Sequence, residues 1–260
     1  AGGDVHEGHD RDAGLLSHLD GQLHGRLVIG LADDAVHLLL LGQHHQLLLL
    51  LGIVGDAKCA YDDIPYEVLE CDEHLELARS AALRSCVLLK NDGLLPLDEN
   101  TCGTVGVIGP NADSRVALMG NYHGTASRYI TVQEGIQDLL RGKNRVLCSV
   151  GCSMTADRVE PLAREGDRLA EAVSVAKCSD TVILVLGLDE TLEGEEGDTG
   201  NSYASGDKTD LELPKSQKTL MESLFACCDR EKKPVVLVNM TGSAMNLRAA
   251  IDAPCVKAIV

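Results

Sequence analysis

TVILVLG, Thr181 to Gly187, has no polar side chain after its first residue, and no other feature of the sequence restricts the fold as much. A strand with one wet face alternates apolar and polar residues; a run without alternation is covered on both faces, as strands of parallel sheets are. Similar runs recur as TVGVIG from Thr104, NRVLCSVG from Asn144, PVVLVNMTG from Pro234 and CVKAIV from Cys255. Between them lie stretches with a helical period: VQEGIQDLL from Val132, EPLAREGDRLAEAVSVAKCS from Glu160, and PKSQKTLMESLFACCDRE, opened by Pro214. Ahead of the first strand, Leu75, Leu77, Ala81, Ala82, Cys86 and Leu89 recur near 3.6-residue spacing behind an acidic first turn at Asp72 and Glu73. That pattern predicts an amphipathic helix running to Gly93. Helices alternating with buried strands place the chain in the α/β class. The expectation is an open, mostly parallel sheet with helices on both faces, a three-layer sandwich with right-handed crossovers, incomplete at both ends.

Residues 1–59 differ from the rest. HLLLLGQHHQLLLLLGIVGD is built almost wholly from Leu, His, Gly, Asp and Gln, most of the nine histidines fall in this part, and the first lysine is Lys58. His44 and His45 lie side by side without an i, i+4 partner or a supporting carboxylate, so a metal site is not expected there. The leucine runs, broken between Gly42 and Gln46, are shorter than the roughly 20 residues of a membrane span. We read 1–59 as a non-native or disordered leader, 60–103 as a linker and helix leading into the domain, and 104–260 as the domain itself.

Composition excludes several functions. The net charge of -17, from 40 acidic against 23 basic residues, repels nucleic-acid backbones and anionic membranes, so neither is an expected partner. Ten cysteines without a paired CxxC framework read as buried thiols of a reducing compartment, and the opening residues show no secretory signal; a cytoplasmic location is favoured. No cofactor is expected. The strand end at VIGPNADS lacks GxGxxG and GxxxxGK[ST], and Pro110 removes an N–H that a phosphate cradle needs.

What remains is the stretch after the most apolar strand. GLDETLEGEEGDTGN carries Asp189, Glu190, Glu193, Glu195, Glu196 and Asp198 at a carboxyl strand end, where open parallel sheets meet their ligands. Crowded carboxylates raise one another's pKa, which suits a proton donor, although for any single one of them solvated loop charge is the simpler reading.

Five segments in the same order carry a resemblance: IPYEVLECDEHLELARSAALRSCVLLKNDGLLPL, VGVIGPNAD, MGNYHG, GLDETLEGEEGD and GDKTDLELPKSQKTL. Together they resemble the carboxyl-terminal sandwich domain of glycoside hydrolase family 3, nearest its β-xylosidase and β-glucosidase members, over roughly Ala60 to Val260. The resemblance implies a retaining, exo-acting β-glycosidase that removes terminal β-linked sugars from oligosaccharides. It implies that the acidic loop supplies the general acid/base, and that the nucleophilic aspartate lies on an amino-terminal (β/α)8 barrel outside this chain. The chain then reads as an internal piece, inactive alone, whose partners are that barrel and a glycoside substrate. Matching LEGEEGD to the family's E-x-E pattern implies Glu195 as donor, with Glu193 second and Glu196 third. Two features depart from the usual pattern: GDTGNSYASG is inserted, and Asp207-Lys208 stands where Asp-Arg is common. The other reading of the same sheet is a non-catalytic ligand-binding or interaction module.

Overall fold

The computed structural model describes residues 44, 61–120, 122–155, 164, 166–194, 208 and 210–260. The leader therefore lies outside the described residues, apart from His44. Two compact units divide the chain, Ala1–Cys71 and Asp72–Val260. In the first, a 3-10 turn, Tyr66–Val68, is closed by Leu69 N–H donating to Tyr66 O at 3.0 Å.

The second unit is a six-stranded sheet with helices. In chain order its elements are α1 (Asp72–Ser85), β1 (Lys90–Asn91), β2 (Val105–Ile108), α2 (Val116–Met119), α3 (Val132–Leu140) and β3 (Val146–Ser149). They continue with α4 (Asp167–Lys177), β4 (Thr181–Gly187), α5 (Lys215–Glu231), β5 (Val235–Met240), α6 (Arg248–Asp252) and β6 (Val256–Ile259). The strand order is β1-β6-β5-β4-β2-β3. All neighbours are parallel except β1, which runs antiparallel to β6 with Lys90 opposite Ile259. The expected class is the observed one: a mostly parallel α/β sheet covered on both faces.

Strand β4 sits at the centre and all seven of its residues are buried. Its alternate residues feed two cores. Val182, Leu184 and Leu186 face α4 and α5, meeting Ala172, Ala176, Leu220 and Leu224. Ile183 and Val185 face the other layer, with Leu140 of α3 and Leu94, Leu95 and Leu97 from the segment before β2. The absence of polar alternation in the sequence is thus explained by two covers. Helix α3 begins with a complete capping box: Thr131 Oγ1 accepts from Glu134 N at 3.2 Å, and Thr131 N donates to the Glu134 carboxylate at 3.0 Å. Lys233 closes the carboxyl end of α4, donating to Lys177 O at 2.7 Å and to Ser179 O.

Three local expectations need correcting. The first helix does not run to Gly93 but stops at Ser85, because Lys90 and Asn91 are taken up as an edge strand on β6. Nor does α1 bury anything; Leu75, Leu77 and Leu83 stay exposed, as do Val87, Leu88 and Leu89 beyond it. The described part of the next long helix begins only at Asp167, after Gly166 at φ +78°, a left-handed conformation that suits glycine. Finally, the cysteines are not uniformly buried. Cys102, Cys152, Cys227, Cys228 and Cys255 are, but Cys86 and Cys178 reach solvent because they sit at the outer ends of α1 and α4.

Candidate active site

The acidic stretch leaves the sheet at the carboxyl end of β4, and backbone geometry explains how. Gly187 has φ +147°, and a Cβ there would lie 1.9 Å from Met240 O, so only glycine lets β4 and β5 stay this close. One strand over in the sheet, Gly109 does the same at the end of β2, with Val185 O at 1.9 Å from the imagined Cβ. Gln217 of α5, with no exposure, reaches across and holds Gly187 at both main-chain groups: its Oε1 accepts from Gly187 N at 3.0 Å and its Nε2 donates to Gly187 O at 2.8 Å. The same Nε2 donates to Met154 O at 3.1 Å. Leu188 is tied on both sides, through its N–H to Met240 O at 2.9 Å and through its carbonyl to Asn111 Nδ2 at 3.2 Å.

Beyond Leu188 the chain makes a tight turn organised by Asp189. Its Oδ1 accepts from Thr191 N at 3.0 Å and from Thr191 Oγ1 at 2.6 Å, while its carbonyl accepts from Leu192 N and Glu193 N, each at 3.0 Å. Asp189 therefore works as a turn cap. Leu192, 4% exposed, anchors the turn from below. Glu190 projects sideways to His123 of the MGNYHG segment, with Oε2 3.6 Å from Nε2. Glu193 is half-buried at the end of this turn; Glu195 and Glu196 lie outside the described residues. Of the three candidate glutamates, then, Glu193 alone lies among the described residues.

The returning leg is fixed as well. Lys208 donates to Ala244 O of the loop after β5. Asn246 donates through N to Leu211 O at 2.7 Å and through Nδ2 to Glu212 Oε1 at 2.6 Å, and Lys218 Nζ pairs with Glu212 Oε2 at 3.1 Å. These donors, Asn246 first, hold the Glu212 carboxyl below its usual range. Lys208, where the family pattern has Arg, thus serves as a main-chain anchor.

Two further segments converge on this end. Among the described residues, Asn111 after β2 is buried to 1% exposure with no partner for its Oδ1, and Asn239 Oδ1 and Ser243 Oγ are likewise buried without partners around β5. Tyr122, 87% exposed at φ +55°, stands next to His123. MGNYHG enters the sequence reading only through the resemblance, and Gln217 does not enter it; a glutamine on the face of α5 otherwise occupied by Leu220, Leu224 and Cys228 is the one trace of its role in the sequence. No group of His, Cys, Asp and Glu that could hold a metal ion occurs among the described residues. Nor is any described helix long and apolar enough to cross a membrane.

Chemically, the arrangement is a display of carboxylates on a turn clamped at β4, at the β2 side by Asn111 and His123, and on the return at α5 and the loop after β5. It suits a proton donor or acceptor offered to something bound outside the strand ends.

Comparisons with known proteins fit the same picture. Residues 86–260 match the glycosyl hydrolase family 3 C-terminal domain. Beta-D-xylosidase 3 of Arabidopsis thaliana is 34% identical over 187 residues, which are 72% of this chain and 21% of that protein. A beta-xylosidase of Formosa agariphila is 33% identical over 199 residues, 74% of this chain and 25% of its own length. Among solved structures, a GH3 exo-beta-xylosidase in complex with a xylobiose aziridine activity-based probe superposes with a TM-score of 0.66 at 27% identity, covering 82% of this chain and 24% of that one. The chain thus spans about a quarter of the length of these relatives. With a family match over residues 86–260 and the α/β sheet in place, the chain belongs to glycosyl hydrolase family 3, and what it carries is the C-terminal domain of that family.

Proposed function

We propose that this chain is the part of a retaining, exo-acting β-glycosidase, a β-xylosidase or β-glucosidase, that supplies the general acid/base. The carrying observation is the acidic turn at the carboxyl end of β4, held by Gln217, Asp189, Leu192 and His123 in a family 3 C-terminal domain. A retaining glycosidase needs two carboxyl groups about 5–5.5 Å apart, one attacking the anomeric carbon and one protonating the leaving oxygen. In this reading the turn delivers the second, and the first belongs to a (β/α)8 barrel of the same enzyme outside the chain. The greater length of the relatives supports such a barrel. Support also comes from α1 and the segment after it, whose Leu75, Leu77, Leu83, Val87, Leu88 and Leu89 are exposed in this unit; apolar surface of that extent is usually covered in the intact protein. The whole of 104–260 is read as the sandwich domain.

Glu195 is the proposed donor, with Glu193 and then Glu196 as the alternatives. General acid assistance is worth about 10²–10⁴ in rate and matters least for leaving groups that depart easily. In the longer enzyme, Glu195→Ala is expected to abolish turnover of xylo- or cello-oligosaccharides while sparing the first step with a nitrophenyl glycoside. Azide should restore turnover as a glycosyl azide of unchanged anomeric configuration. Near-normal rates on both substrate types would remove Glu195 and direct the measurement to Glu193→Ala. An enzyme without any glycosidase activity would leave the interaction-module reading.

A further inference from the structure

Among the described residues, the buried Asn111 amide is bonded at one end only. Asn111 follows β2 by way of Gly109 and Pro110 and is 1% exposed. Its Nδ2 donates to Leu188 O at 3.2 Å, and its Oδ1 has no partner. A main-chain carbonyl only accepts, so the nitrogen must be the end that faces Leu188. For stability the two ends nearly cancel: a neutral hydrogen bond contributes little net, and a buried acceptor without a donor costs at least as much. Folding alone does not account for an amide here. Its effect on the direction of the chain is larger.

The platform that carries Asn111 is tied down on two sides. Gly109 N donates to Ser149 O at the end of β3 at 3.0 Å, Ala112 O accepts from Gln133 N of α3 at 2.9 Å, and Asp113 Oδ1 accepts from Thr131 Oγ1 at 2.8 Å. The receiving end is Leu188, the first residue beyond β4. Its side chain is buried, and its N–H donates to Met240 O at 2.9 Å. Met240 belongs to β5 and Asn111 follows β2, the two strands that flank β4, so the Leu188 main chain is held from both sides. Because the peptide from Leu188 to Asp189 is planar, fixing its oxygen also fixes the Asp189 N–H and the heading of the turn behind it. That turn runs from Asp189 to Glu193 and is closed by Leu192 N and Glu193 N on Asp189 O, each at 3.0 Å.

We propose that Asn111 is a positioning residue: through Leu188 O it sets the direction in which the turn from Asp189 to Glu193 leaves the sheet, and so where the Glu193 carboxyl is offered. This rests on the glycosidase reading of the acidic turn given above. Without the Asn111 amide, Leu188 keeps its bond to Met240 and its buried side chain, so β4 and the core survive while the peptide after it is free to rotate. A misplacement of about 1 Å in a group that works on substrate can cost about 10²-fold in rate. A large loss of rate with a small loss of stability is the mark of such a residue.

In the 260-residue chain, Asn111→Ala should lower Tm by no more than about 4 °C, since loss of the bond is offset by removal of the buried acceptor. The nitrogen-15 amide signals of Asp189, Leu192 and Glu193 should shift and their hydrogens exchange faster, while those of β2 and β4 stay in place. In the longer enzyme the same substitution should lower kcat on an oligosaccharide about tenfold to a hundredfold, with KM unchanged. Asn111→Asp isolates the donor: its protonated carboxyl can donate to Leu188 O, its carboxylate cannot, and burial favours the protonated form. The ratio of kcat in Asn111→Asp to kcat in Asn111→Ala should therefore fall as pH rises. Unmoved turn amides in Asn111→Ala overturn the proposal whatever the enzyme does. So does a Tm lowered by about 10 °C with kcat unchanged, which is what a purely structural role gives, or a ratio independent of pH. Shifted amides, together with a longer enzyme whose unsubstituted form hydrolyses no glycoside, would leave the hold on the turn standing and reject the glycosidase reading.

Discussion

Gln217 offers the sharpest test of how the acidic turn is held. The side chain has no exposure and makes three hydrogen bonds, at 3.0 and 2.8 Å to the two main-chain groups of Gly187 and at 3.1 Å to Met154 O. Gln217→Ala leaves the N–H and the carbonyl of Gly187 in the interior without partners. Each costs about 1–3 kcal/mol, and truncation adds unfilled space, so a loss of about 3–5 kcal/mol is expected. That is a large share of the roughly 5–15 kcal/mol that holds a domain folded. It corresponds to a fall in Tm of about 10 °C for a domain of 150–250 residues. The chain has no tryptophan, so urea unfolding is best followed by far-ultraviolet circular dichroism, with an unchanged m value marking a pure stability effect. Gln217→Glu sharpens the argument. Its carboxylate can still accept from Gly187 N–H but cannot donate to Gly187 O; the protonated acid can. The folded state therefore favours the protonated form and lifts that carboxyl above the unfolded value of about 4.3. With a raised folded value, the variant's stability is fully present below about pH 4 and is lost as pH rises through the folded value. Gln217→Ala within about 0.5 kcal/mol of the unsubstituted chain, or a Gln217→Glu penalty independent of pH, would refute the reasoning.

Three further outcomes rest on the same structure. Thr131→Ala removes the cap of α3 and the bond from Thr131 Oγ1 to Asp113 at 2.8 Å, and should cost about 1–2 kcal/mol in urea unfolding. Its partner Glu134 has its carboxyl held below the usual range, chiefly by the Thr131 N–H, so its contribution is present above the unfolded value and is lost as pH falls; Glu134→Gln should flatten the acid limb of stability. Among the thiols, burial pushes Cys228 and Cys255 up to about 12, whereas Cys86 and Cys178 are exposed. At pH 8 a disulfide reagent should label Cys86 and Cys178 first and reach Cys228 and Cys255 only on unfolding; equal rates, mapped by mass spectrometry, would contradict the packing.

The sequence by itself determined whatever depends on near neighbours. The run Val182 to Leu186 dictated a strand covered twice, and the pairing of Thr131 with Glu134 dictated the start of α3, because side-chain period and capping are read within a few residues. It also placed the acidic stretch at a strand end, since the order of elements in a parallel sheet leaves few alternatives. Tertiary structure decided the rest. Lys90 and Asn91 carry no strand signal of their own and become one only by pairing with Ala258 and Ile259 at the far end of the chain. Asp189 and Glu190 look alike in sequence, yet one caps a turn through Thr191 and the other lies beside His123 of a segment far away in the chain. Gln217 reads as one polar residue in an amphipathic helix until α5 packs against β4 and aims its amide at Gly187. Hydrogen-bond partners brought together by strand order, and not by spacing along the chain, are invisible to local pattern, and the support of the candidate site is built mostly from these.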